Sequence, residues 1–196
     1  MENILYLDDY INLYNEKNNK LIVSKPYKNT LRDGLIIDKN KFIKKLKKIL
    51  EINNLENNFF SESITVIVNN HYKEENKNLI RETLEILNYK KIKFISELNY
   101  LKLDKNKIYI NCNSSYFYIL FLNTLGNVEI NLYKNDNINK KVIINILEII
   151  NKDKIYLYGK NYKEIENILK EKNIEYYFFE LADNLIMNIL INNKKV

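Results

Sequence analysis

The sequence is poor in residues that carry much of protein chemistry. Among 196 residues it has one cysteine, one histidine, one proline, three glycines and no tryptophan. A lone Cys112 excludes an internal disulfide, and with one histidine there is no Cys/His set for a structural zinc. An imidazole-activated serine or cysteine would have only His71 to use. That residue lies in the turn-like stretch Asn69-Asn70-His71-Tyr72, where an exposed loop histidine is the plain reading. No apolar run is long enough to span a bilayer; Tyr116–Leu122 is among the longest. Glu2 and Asn3 lead directly into a strand-like run, with no basic-then-apolar leader, so a cytoplasmic location is expected. The scarcity of glycine also bears on phosphate chemistry. The turn Asn111-Cys112-Asn113-Ser114-Ser115, set between two strands, contains none.

What is present suits a globular chain. Hydrophobic residues make up 46% and charged residues 29%, enough for one domain with a proper core or for two small lobes. The net charge of +6 comes from lysines spread over helices and strand ends. Such an excess permits nucleic acid or an acidic membrane surface and requires neither. Heavy use of Asn, Ile, Lys and Tyr reads as a compositional bias of the source genome.

Periodicity orders the chain. Residues 4–8, 11–15 and 21–24 read as a three-strand meander, with Glu16-Lys17-Asn18-Asn19 as a hairpin turn. Asp33-Gly34 marks a turn, residues 35–37 a brief extended segment, and Asp38 caps a helix over residues 39–53. That helix places Phe42, Ile43, Leu46, Ile49 and Leu50 on one face and its lysines on the other. The β-branched run 63–69 predicts a central strand, residues 74–88 an amphipathic helix with an acidic start, and residues 91–96 a further strand. After a connector over 97–106 the order restarts. Strands are predicted at 107–111, 117–122 and 128–133, a helix at 137–152, a strand at 155–158 closed by Gly159, a helix at 161–172, a strand at 174–179 and a last helix at 182–191. The first half therefore reads βββ, helix, strand, helix, strand, the second reads the same with a closing helix, and parallel strands joined by crossover helices make each half a mixed sheet. The halves divide at 1–100 and 101–196. This repeat of topology outweighs any single motif.

Five stretches carry a resemblance to a known superfamily: ILYLDDYINLY, RDGLIIDKNKFIKKLKKIL, the strand–helix–strand ITVIVNNHYKEENKNLIRETLEILNYKKIKFISE, KIYINCNSSYFYILFLNTLGNV, and IYLYGKNYKEIENIL. Together they resemble the bacterial actin-like proteins (MreB, FtsA and PilM) of the actin, Hsp70 and sugar-kinase superfamily. The resemblance covers nearly the whole chain and implies an α/β, actin-like fold. Its two ribonuclease-H-like βββαβα lobes are reduced to a minimal form that lacks the outer inserted subdomains.

The resemblance also implies where a nucleotide would sit. Two β-hairpins would clasp phosphates through backbone N–H groups, with glycines allowing the close approach and strand-end carboxylates holding Mg²⁺ through water. On this sequence those positions are Asp8, Asn111, Asn113, Ser114 and Gly159, with Glu97 matching an acidic residue near the lobe junction. The pattern is eroded. Asp9 and Tyr10 stand where small residues belong, Asn111 replaces the strand-end Asp, Asn113, Ser114 and Ser115 replace glycines, and Lys160 follows Gly159. These positions read as vestigial, so no cofactor is expected; Mg-ATP enters only if the chain is a nucleotide-binding actin-like filament protein.

Other chemistries are weighed on the same residues. A ribonuclease-H-type nuclease needs several carboxylates around Mg²⁺; Asp8 and Asp9 begin such a set, but the strand ending Val68-Asn69-Asn70 adds no acid. Tyr116, Tyr118, Tyr133, Tyr156 and Tyr158 near lysines could stack bases, although half-buried tyrosine is ordinary in strands. The amphipathic stretch 181–193 could touch a membrane, but it falls where the fold needs its last core helix. The expectation is a pseudo-ATPase with no catalytic or metal site: a scaffold or adaptor working through a protein partner or self-association in cell shape, division or an envelope-associated machine. Nucleic acid is not an expected partner, and membrane contact would be indirect, through a partner at its inner face. Two alternatives stay open: a nucleotide-binding filament protein, and an inactive actin-fold partner subunit of a tRNA-modification complex.

Overall fold

The computed structural model describes residues 2–8, 10–15, 20–24, 27, 29–53, 63–69, 72–99, 101, 103–112, 116–134, 143–145, 154–159 and 162–178. These residues divide into two compact units, 2–99 and 101–178.

In the first unit, β1 (Glu2–Leu7), β2 (Ile11–Asn15) and β3 (Lys20–Val23) form the antiparallel meander. A two-residue Asp33-Gly34 loop joins the short strands β4 (Leu31–Arg32) and β5 (Leu35–Ile36). Both loop residues have positive φ, 51° and 81°, as a hairpin loop matched to strand twist demands. Helix α1 (Lys39–Ile52) starts at Asp38, whose carboxylate accepts the Lys41 N–H at 3.0 Å. Then come β6 (Ser63–Val68), α2 (Glu74–Ile86), β7 (Lys91–Ser96) and a 3₁₀ turn at Glu97–Asn99. The sheet order is β3-β2-β1-β6-β7, with β1, β6 and β7 parallel.

The second unit repeats this plan. Strands β8 (Lys107–Cys112), β9 (Tyr116–Leu122) and β10 (Val128–Lys134) are antiparallel neighbours, and β11 (Lys154–Gly159), α3 (Lys163–Glu171) and β12 (Tyr176–Phe178) complete the order β10-β9-β8-β11-β12. Strands β8, β11 and β12 are parallel. Of the helix expected at 137–152, residues 143–145 are described and are helical. The helix expected at 182–191 lies outside the described residues.

One face of each sheet carries the helices because alternate strand residues are apolar on that side. In the first unit Leu5, Leu7, Leu13, Ile64 and Val66 meet Phe42, Leu46 and Leu50 of α1 and Ile80 and Leu84 of α2. In the second, Ile108, Ile110, Phe117, Ile119 and Leu157 meet Ile143 and Ile165, Ile168 and Leu169 of α3. The α1 lysines stay on the wet side, as their spacing predicts. There Lys39 pairs with Glu82 at 2.6 Å, and the Lys45 ammonium lies 3.6 Å from the Tyr27 ring centre.

Candidate functional site

In a mixed sheet of this kind, ligands gather at the carboxyl ends of the parallel strands, where the strand order reverses. In the first unit that point is the bend between β1 and β2. Its last sheet pair is Leu7 with Ile11, leaving Asp8 and Tyr10 as the described residues of the bend. The bend is closed by its own groups. The Asp8 N–H donates to the Tyr10 carbonyl at 3.2 Å, and the Tyr10 N–H donates to the Asp8 carboxylate at 2.6 Å. The Ile11 N–H donates to the Ser24 hydroxyl at 2.8 Å, and the Asn12 side-chain amide donates to the same Asp8 oxygen at 3.3 Å.

The Asp33-Gly34 loop braces this bend from behind. The Gly34 N–H donates to the Asp8 carbonyl at 3.1 Å, and the Tyr72 hydroxyl donates to the Gly34 carbonyl. The Asn69 amide reaches the Asp33 carbonyl at 3.4 Å. A methyl group on Gly34 would come within 2.5 Å of the Leu7 carbonyl oxygen and would also collide with the Tyr72 hydroxyl. Glycine is therefore required here by the contact between the loop and the ends of β1 and β6.

The repeat corrects one assignment. The last pair of the second hairpin is Cys112 with Phe117, so Cys112 corresponds to Leu7, and Asn111, expected at the strand end, lies one residue inside it. Asn111 is a residue of β8, on the face away from the helices, and is wholly buried. Its amide donates to the Tyr118 hydroxyl at 2.7 Å, and the Tyr158 hydroxyl donates to the same oxygen at 3.3 Å. The Asn111 side-chain oxygen, Oδ1, has no hydrogen-bond partner among the described residues. Cys112 faces the core, where desolvation pushes its thiol up to about 12. Asn113, Ser114 and Ser115, like Asp9 and His71, lie outside the described residues.

Gly159 is the last residue of β11 and pairs with Cys112 at φ 89°. A Cβ there would lie 2.5 Å from the Cys112 carbonyl oxygen. Glu97 is fully buried at the start of its 3₁₀ turn. Of the tyrosines considered for base stacking, Tyr118 and Tyr158 are buried edge to face, Tyr133 stacks on Phe117 at 5.0 Å, and Tyr156 stacks between Tyr109 and Tyr177 at 5.1 and 5.5 Å. These ring contacts are with other aromatic side chains of the same sheet; the side chain of Tyr116 lies outside the description. Among the described residues no cluster of three His, Cys, Asp or Glu side chains could hold a metal, and no helix is long and apolar enough to cross a membrane.

Known structures match this paired topology. MreB5 of Spiroplasma citri bound to AMPPNP aligns over 100% of this chain and 97% of its own, with a TM-score of 0.58 at 10% identity. The ethanolamine utilization protein EutJ from Carboxydothermus hydrogenoformans aligns over 90% and 83%, with a TM-score of 0.59 at 10% identity. A Bacteroides thetaiotaomicron protein with an actin-like ATPase fold and unknown function aligns over 97% and 95%, with a TM-score of 0.54 at 12% identity. The fold is actin-like. No family model and no curated protein matches the sequence.

Clasping a phosphate needs backbone amides aimed at the anion and room for its oxygens. In this chain the amides of Asp8, Tyr10 and Ile11 all donate to protein oxygens, and the Asp8 carboxylate itself serves as the anion at the bend. Sequence reasoning singled out Asp8 but missed Ser24, Asn12 and Tyr72. Their signal was faint: a serine ending the third strand, an asparagine in the second, and a tyrosine four residues past β6.

Proposed function

We propose that this actin-like chain is a non-catalytic scaffold or adaptor that works through protein–protein contact or self-association, without an ATPase cycle. The observation that carries this reading is the self-closed bend at Asp8. A phosphate brought there meets a carboxylate in its place and must break one internal hydrogen bond for each of the Asp8, Tyr10 and Ile11 amides it gains. Each such bond contributes about 1 kcal/mol net, and more when one partner is charged. Like-charge repulsion adds to that cost.

MreB5, a fold neighbour, has been solved with AMPPNP and with ADP, so nucleotide binding is the competing reading. Calorimetric titration of the chain with Mg-ATP separates the two. The scaffold reading expects no saturable heat and no change in melting temperature at millimolar nucleotide. A ligand present at about 100 times its Kd stabilises by about 2.7 kcal/mol, so a micromolar Kd produces an obvious shift. Such a shift overturns the proposal.

A further inference from the structure

Among the described residues, strand β10 forms one edge of the second sheet. Its residues alternate cleanly. On one face Tyr133 stacks on Phe117 and packs against the core. On the other, Val128, Ile130 and Leu132 are 44%, 43% and 57% exposed. An apolar stripe on a strand edge is an open template for pairing, and proteins usually defend such edges with charge. The edge strand β7 of the first unit does so, with Lys91 and Lys93 exposed at alternate positions. Strand β10 places Val, Ile and Leu where β7 places lysine.

The pattern of β10 fits one partner, another β10 running antiparallel to it. A two-fold axis through Asn131 sets Ile130 against Leu132, Glu129 against Tyr133, Val128 against Lys134, and Asn131 against its own copy. All seven residues of the strand find partners within the same strand. The two Ile130 and two Leu132 side chains close into one apolar patch, with the lysine stem lying over Val128. Charge agrees with this orientation. Each end of the pair holds one Glu129 and one Lys134, and like charges stay at opposite ends; a parallel pair would set lysine beside lysine. A seven-residue pairing lies at the low end of specific interface areas, which fits a reversible dimer.

We propose that two copies of this chain associate by antiparallel pairing of β10 with β10 about a two-fold axis at Asn131. The proposal rests on the scaffold reading and names its partner as a second copy. Sedimentation of the full chain between about 5 and 200 µM is expected to show mass rising from 23.6 kDa toward twice that value. Ile130→Lys, which copies the defence of β7, is expected to hold the chain monomeric with unchanged far-UV circular dichroism. Leu132→Thr, which keeps strand propensity, weakens the dimer without that added charge. Oxidised Asn131→Cys is expected to cross-link to dimer. Lys134→Cys is not, because the two positions stand about 20 Å apart along the paired strands. The buried Cys112 does not compete. A chain that stays monomeric at 200 µM, a dimer indifferent to Ile130→Lys, or cross-linking through position 134 in place of 131 overturns the proposal. Binding of Mg-ATP, measured separately, bears on the scaffold reading alone.

Discussion

Gly159→Ala tests whether the glycine is kept for the sheet itself. Two effects act at this position. The first is conformational: φ is 89°, and a non-glycine residue at positive φ costs about 1–2 kcal/mol. The second is steric. The new Cβ would stand 2.5 Å from the Cys112 carbonyl oxygen and 3.0 Å from its carbonyl carbon and nitrogen, all backbone atoms. No rotamer change relieves that contact, so the ends of β8 and β11 must separate. Cys112 is held from its other side by pairing with Phe117, which is buried. Forcing packed elements apart costs about 1–3 kcal/mol, for a total of about 2–5 kcal/mol.

Gly126 provides the control within the same unit. Its φ is 83°, nearly the same, but a Cβ there meets nothing within 4 Å. Gly126→Ala is therefore expected to lose only the conformational part, and the difference between the two variants isolates the contact with Cys112. Urea unfolding followed by tyrosine fluorescence and far-UV circular dichroism measures both; the chain has 16 tyrosines and no tryptophan. If the two variants unfold within about 0.5 kcal/mol of each other, the close-approach argument for Gly159 is wrong.

Asp8→Ala removes the acceptor of the Tyr10 and Asn12 bonds and is expected to cost about 1–2 kcal/mol in urea unfolding; Asp8→Asn, which keeps an acceptor oxygen, should lose less, and equal losses would refute the turn-closing role. Cys112, its thiol raised to about 12 by burial, is expected to resist a disulfide reagent at pH 8 in the native chain and react fully in denaturant; rapid native labelling would contradict its core position. The Lys107 ammonium holds the Asp104 carboxyl below its usual range across 2.6 Å, and Lys107 is itself raised. The Asp104 contribution is present above its unfolded value of 3.8 and fades as pH falls through the lower folded value; the Lys107 contribution is present below 10.5 and fades as pH rises through the higher one. Both groups are partly exposed, so Lys107→Met should lose less than about 1 kcal/mol at pH 7, with a smaller loss near pH 2, measured as melting temperature against pH.

Much of the fold was legible because period and topology repeat. The alternation of Ile64, Val66 and Val68 and the helical spacing of Phe42, Leu46 and Leu50 marked their elements to within a residue or two. The β4–β5 hairpin was only half seen. Asp33-Gly34 announced a turn, but two-residue strands have too little length for a period. Asn111 was expected at the strand end because Asn111 and Asn113 both suit a turn, and only the pairing of Cys112 with Phe117 sets where the strand ends.

From its own residues the chain determines a duplicated βββαβαβ plan, since local periodicity and crossover length are properties of consecutive positions. Which polar groups spend themselves on one another is decided by tertiary structure alone. Ile11 and Ser24 are 13 positions apart, and Gly159 and Cys112 are 47 apart, yet each pair closes one end of a sheet. The same holds for the bare face of β10. Its alternation is written in the sequence, but whether Val128, Ile130 and Leu132 lie under a helix or in water depends on how the rest of the unit packs.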